Sequence, residues 1–101
     1  MANRTELIPA AREELLEAFE WYLKRSDQAA SNFLAEISRG AVVVARAPEI
    51  WPRFTGNTRR YPLYRYPFSL LYRYSAGVVT IVALAHHKRR PGYWRDRLEA
   101  P

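Results

Sequence analysis

The sequence predicts an α+β fold: an N-terminal two-helix hairpin packed on a small, twisted, mainly antiparallel sheet. Three observations predict it. Apolar residues recur at helical spacing from Ala10 to Arg46. From Arg59 onward the period changes to two. Val78 to His86 is then a β-branched, almost continuously apolar run, as a strand buried on both faces carries.

The elements follow in chain order. Residues 4–8 predict a short strand that stops at Pro9, a residue tolerated in the first turn of a helix because its missing N–H would be unpaired there anyway. Leu15, Phe19, Tyr22 and Leu23 form the apolar stripe of a helix from Ala10 to Arg25, with Glu13 and Glu14 near its start and Lys24 and Arg25 at its end to match the dipole. Ser26-Asp27 offers a cap for a second helix, about Gln28 to Arg46. Its stripe is Ala30, Phe33, Leu34, Ile37, Ala41 and Val44; Gly40 weakens it by about 1 kcal/mol relative to alanine, and Pro48 ends it. A connection this short predicts antiparallel helices.

Beyond the Pro48-Glu49-Ile50-Trp51-Pro52 loop, Arg59 to Arg65 alternates as a strand, and Phe68, Leu70, Tyr72 and Tyr74 share one face of the next. Pro62 and Pro67 cannot donate ladder hydrogen bonds, so the stretch before Phe68 reads as an edge or bulged strand. Ser75-Ala76-Gly77 is a turn into the apolar strand, and Pro91 opens a short segment, Gly92 to Leu98, of one or two helical turns. We read residues 1–101 as a single domain with two layers.

Composition narrows the function. The chain has no cysteine, which excludes disulfides and thiolate chemistry. The N-terminus lacks the basic-then-apolar order of a signal peptide, and the longest apolar run is far too short to span a bilayer, so a cytoplasmic protein with no membrane partner is expected. The net charge of +6 is unevenly placed: residues 1–52 carry six Lys/Arg against eight Asp/Glu, and residues 53–101 carry ten against two. A polyanion or an acidic protein segment fits the second half.

No metal-ligand spacing is present, and neither a metal nor a cofactor is expected. His86 and His87 are adjacent and point to opposite faces of a strand, so they do not share an ion easily. No phosphate-binding glycine loop or nucleophile elbow occurs, and the basic half holds only Asp96 and Glu99 for carboxylate chemistry. The remaining constellation is arginine, histidine and tyrosine: Arg65 at the end of one strand, Arg73 within the next, and the tail from His86 through Tyr93 to Arg97. Arginine forks phosphate, aromatics stack on unpaired bases, and histidine moves protons near neutral pH. These are the parts of a metal-free ribonuclease. Plain structural roles stand beside them: Arg73 as a solvated position, His86 as a hydrogen-bonding strand end, Trp94 as a latch on the core, and Trp21, Trp51 and the tyrosines from 61 to 74 as packing.

The helix hairpin, the Pro48–Pro52 loop, Arg59-Arg60-Tyr61-Pro62-Leu63, the run from Arg65 to Tyr74, and Val82-Ala83-Leu84-Ala85-His86 followed by Arg89-Arg90-Pro91-Gly92-Tyr93-Trp94 occur in an order that resembles the RelE/ParE superfamily of type II toxins. The resemblance runs from about Glu6 to Arg97. It implies a cognate antitoxin whose tail wraps the toxin and covers its basic face, in a hetero-oligomer. For the RelE-like branch, which cuts mRNA on the ribosome, it implies Arg65 and Arg73 as phosphate clamps and His86 or Tyr93 as the proton-transfer group. For the ParE-like branch it implies binding and poisoning of DNA gyrase without catalysis. The chain lacks the lysine-rich loop and first-strand base of the RNA-cleaving branch, and its helical half is nearer to ParE-like members. The expectation is therefore a ParE-like toxin and plasmid-stabilisation protein. The alternatives are an mRNA endonuclease or an inactive remnant that only binds its antitoxin. Arg59, Arg60, Lys88, Arg89, Arg90 and Arg95 are the expected contacts to nucleic acid or antitoxin.

Overall fold

A computed structural model describes residues 3–98; the two N-terminal residues and residues 99–101, including Glu99, lie outside the described residues. The elements run β1 (Arg4–Leu7), α1 (Pro9–Leu23), α2 (Asp27–Arg46), β2 (Arg53–Thr55), β3 (Thr58–Pro62), β4 (Phe68–Ser75), β5 (Val78–His86) and a 3-10 turn (Arg95–Leu98). The five strands form one sheet in the order β1-β5-β4-β3-β2, antiparallel except for the parallel β1–β5 pair. The two helices pack on one face, over a core of Ala11, Phe33, Tyr61, Leu70, Tyr72 and Val79 with their neighbours.

The helices start where local chemistry directs. Pro9 opens α1, and the Ser26 hydroxyl caps α2 by accepting the Ala29 N–H at 2.9 Å. The expected dipole match at α1 is corrected: the helix begins at Pro9 and ends at Leu23, so Glu13 and Glu14 lie past its first turn and Lys24 and Arg25 beyond its last. Gly40 is buried because α2 presses close to the sheet there; a Cβ would stand 3.0 Å from Tyr61 Cε2 and 3.2 Å from Leu63 Cδ2. Its weak helix propensity is the consequence of that close approach.

Two expectations of the strand half and one of aromatic packing change. Residues 53–55 form a short edge strand that the sequence reading leaves in the loop. The strand expected to run to Arg65 ends at Pro62, since Leu63 turns to take its hydrogen bond from the Phe68 carbonyl, donating its N–H at 2.9 Å. Trp21, expected to pack, is 51% exposed and Tyr64 is 64% exposed. Tyr61 and Tyr72 are buried as expected.

β5 contains the feature that positions the site. Leu71 pairs with Ala83 but Tyr72 pairs with Ile81, so Val82 is an extra residue, a β-bulge. The bulge reverses the alternation. Val79 and Ile81 face the helices before it, Leu84 after it, and His86 lies edge-on to Phe68 with ring centroids 5.0 Å apart. Ala83 and Val82 instead join Leu71 and the buried Trp94 in a second apolar cluster on the opposite face. Trp94 is the latch expected of it.

Candidate functional site

The face of the sheet opposite the helices carries the polar groups. Arg60 on β3 donates its Nε to Ser69 Oγ on β4 at 3.0 Å, and the same oxygen stands 3.0 Å from His87 Nε2 just past β5. Ser69 is buried. Three adjacent strands thus place an arginine, a hydroxyl and an imidazole in line. One strand position further along, Arg73 donates its Nε to the buried Thr58 hydroxyl at 3.2 Å. Burial, and next the Arg60 guanidinium, hold the His87 pKa below the ordinary histidine value. His87 is therefore largely uncharged near neutral pH, with Nε2 facing the Ser69 hydroxyl.

A cleft of about 110 Å³ opens at this cluster, bordered by Phe54, Arg60, Ser69, His87, Arg90 and Tyr93 among others. Among the described residues no carboxylate lines it. A larger cleft, about 390 Å³, lies on the helix side between α1 and the ends of β4 and β5. It mixes Glu14 and Glu17 with Trp21, Tyr22, Phe68, His86 and Arg89.

A clasp separates the two. Glu14 on α1 accepts hydrogen bonds from both terminal nitrogens of Arg97, at 2.7 and 3.1 Å, and from the Tyr93 hydroxyl at 2.6 Å. It also accepts the Leu84 N–H at 3.1 Å, while Arg97 donates to the Val82 carbonyl at 2.9 Å. The clasp therefore satisfies backbone groups beside the bulge, where β1 has ended. Burial, followed by the bond to Glu14, drives the Tyr93 phenol well above its ordinary pKa.

The expected catalytic residues are dispersed over this frame. Arg65, expected at a strand end, sits in the β3–β4 turn at φ +68°, exposed, its guanidinium 5.1 Å from the Tyr64 ring centroid. Arg73 is on the face opposite the helices, His86 lies edge-on to Phe68 with Nδ1 accepting the Lys88 N–H at 3.0 Å, and Tyr93 is held in the clasp; His86 and Tyr93 both border the smaller cleft. Neither cleft contains Arg65 or Arg73. Of the expected contact residues, Arg59 donates to the Glu49 and Trp51 carbonyls at 2.9 and 2.6 Å and so braces the Pro48–Pro52 loop. Arg95 folds over Gly92, Arg89 lies 3.9 Å from the Tyr93 ring centroid, and Lys88 and Arg90 are exposed. Arg60 alone of the set belongs to the hydroxyl–imidazole line.

Ser69 and Glu14 escaped the sequence reading, which takes His87 and Arg97 only as members of the tail from His86 to Arg97. Ser69 is a small polar residue in an apolar strand and carried a signal: a hydroxyl buried there needs a partner. The faces of the two histidines depend on the bulge at Val82, which leaves no mark in an apolar run. Glu14 reads as an ordinary helix charge, because its partner lies 83 residues away.

A family model described as the ParE toxin of the type II toxin-antitoxin system, parDE, matches residues 6–91. No curated protein matches the chain. Among solved structures, the chromosomal ParDE TA system from P. aeruginosa is similar, with a TM-score of 0.74 at 16% identity over 84% of this chain and 96% of that one. At that identity the likeness concerns the fold.

Proposed function

The chain belongs to the ParE toxin family of type II toxin–antitoxin systems, and from that membership we propose that it acts by binding and blocking DNA gyrase, without cutting nucleic acid itself. The observation that carries this reading is the Tyr93–Glu14 hydrogen bond of 2.6 Å. A tyrosine whose phenol is half-buried and already donating to a carboxylate, with its pKa raised, is a poor proton-transfer group for RNA cleavage. The distance of Arg65 and Arg73 from the cleft that His86 and Tyr93 share supports the same reading, since general acid, base and phosphate clamp must converge on one phosphate.

The whole chain acts in this reading as one toxin domain in the cytoplasm, silenced by a cognate antitoxin. The family pairs with an antitoxin. An acidic, amphipathic antitoxin tail suits a half-chain holding ten Lys/Arg against two Asp/Glu. Among the described residues no helix is long and apolar enough to cross a membrane. RNA cleavage is the second reading, favoured by one observation: an uncharged His87 beside Arg60 and Ser69 has the composition of a base with a phosphate clamp.

A supercoiling assay with purified gyrase tests the proposal. The expected result is dose-dependent loss of supercoiling at substoichiometric to equimolar toxin. Full supercoiling at saturating toxin, together with cleavage of ribosome-bound mRNA, would replace it with the second reading.

A further inference from the structure

The smaller cleft, beside Ser69 and His87, stands apart from the rest of the molecule in its charge. Every ion pair among the described residues lies elsewhere: Arg4–Glu6, Arg39–Glu36 and Arg97–Glu14. Arg60 spends only its Nε, on Ser69, and its terminal nitrogens make no hydrogen bond among the described residues. Arg90 lines the same cleft with neither a salt bridge nor a hydrogen bond from its side chain among those residues. An arginine fork with two unspent donors is the group that recognises phosphate.

Size and neighbours define the ligand further. At about 110 Å³ the cleft is too small for a whole small-molecule ligand, which takes roughly 300 Å³ or more. It fits one anionic group of a larger chain. At its border the Phe54 ring is 44% exposed. The Arg60 guanidinium carbon lies 5.4 Å from that ring's centroid, and the Trp94 ring 6.4 Å. An exposed aromatic ring next to an anion site is the pairing that a nucleotide offers, with its base beside its phosphate. A carboxylate-bearing peptide supplies the anion and gives no reason for the exposed ring.

We propose that this face binds a single-stranded nucleic acid, with one phosphodiester held by Arg60 and Arg90 in the cleft and the neighbouring base stacked on Phe54. The inference goes beyond the gyrase reading and does not depend on it. Ser69 accepts the Arg60 Nε–H and is itself bonded to His87, so the arginine meets the phosphate already oriented.

The test is fluorescence anisotropy of the purified chain with a labelled oligothymidine of about ten nucleotides, within the usual single-strand site size, across a salt series. Arg60→Gln should weaken binding about tenfold and reduce the slope of log affinity against log salt by about 0.7, the loss of one single-strand phosphate contact. Arg90→Gln, at an exposed position where folding is not at risk, should reduce the slope similarly. Phe54→Ala should weaken binding roughly fivefold or more with the slope unchanged. Arg12→Gln, which removes an equal charge from α1, should change affinity less than twofold. No binding, or equal loss in Arg12→Gln and Arg90→Gln, overturns the proposal, because the attraction is then absent or diffuse. Polyglutamate that competes at equal charge, combined with no effect of Phe54→Ala, overturns it in favour of an acidic peptide. Gyrase is absent from the assay, so a failure of the supercoiling test and a failure here are separate results.

Discussion

The Arg97 guanidinium lies across both carboxylate oxygens of Glu14, at 2.7 and 3.1 Å, and this pair joins the first helix to the end of the chain. Both side chains are largely buried, 19% and 13% exposed. The same carboxylate takes the Tyr93 hydroxyl and the Leu84 N–H. Removing it leaves a buried guanidinium and two donors unpaired at once. Glu14→Ala should therefore lower stability by about 3 kcal/mol, the scale for breaking one side of a buried pair. A urea denaturation series measures it; a loss below about 1 kcal/mol would mean the clasp is only a surface contact.

Tyr93→Phe separates structure from catalysis. It deletes one hydrogen bond and leaves the Glu14–Arg97 fork intact, so stability should fall by about 1 kcal/mol while toxicity in growing cells is retained. Loss of toxicity at unchanged stability would return Tyr93 to the chemistry.

Arg59→Ala should destabilise the fold by about 2 kcal/mol, because a charged donor leaves two loop carbonyls without their partner. On the same change, nucleic-acid binding per folded molecule should stay within the range of a surface control. An intact melting midpoint with weakened binding would make Arg59 a contact residue and not a brace.

His87 gives a signed pH dependence. Its pKa is lower in the folded chain than in the unfolded one, so below the ordinary histidine value the unfolded state binds the extra proton more readily. Stability should fall as pH drops from about 7 through the ordinary histidine pKa of ~6.5 and on to the folded value. Burial, Arg60 and His86 lower the value, and a hydrogen bond with the Phe68 backbone opposes them; Arg89 and Arg90 line the same cleft. His87→Gln should flatten this part of the profile, with the loss of its Ser69 bond appearing as a pH-independent offset. A profile equally steep in His87→Gln assigns the effect to other groups.

The layout of the fold is readable in the chain because it rests on local periodicity. The stripe through Phe33 and Val44 does settle the buried side of α2, and the alternation of Phe68, Leu70, Tyr72 and Tyr74 does settle the helix-facing side of β4. Local pattern fails where a distant partner decides. Trp21 obeys no stripe position that the sheet can cover, and it takes Arg25 on its ring at 3.2 Å. Arg65 continues an alternating pattern, yet Leu63 has already left the strand to pair with Phe68. The bulge at Val82 decides which histidine joins Ser69, and nothing in a run of small apolar residues marks it. The basic half and the aromatic tail were legible as a surface; the grouping of Arg60 with Ser69 and His87 needed three strands in register.

The central claim is that this ParE-family toxin stops cells through gyrase. Its most direct test in cells is induction of the chain alone, with pulse labelling of DNA and protein. The account predicts that DNA synthesis stalls with a DNA-damage response while protein synthesis continues through the first minutes. An immediate stop in protein synthesis, with mRNA cut on ribosomes, would contradict it.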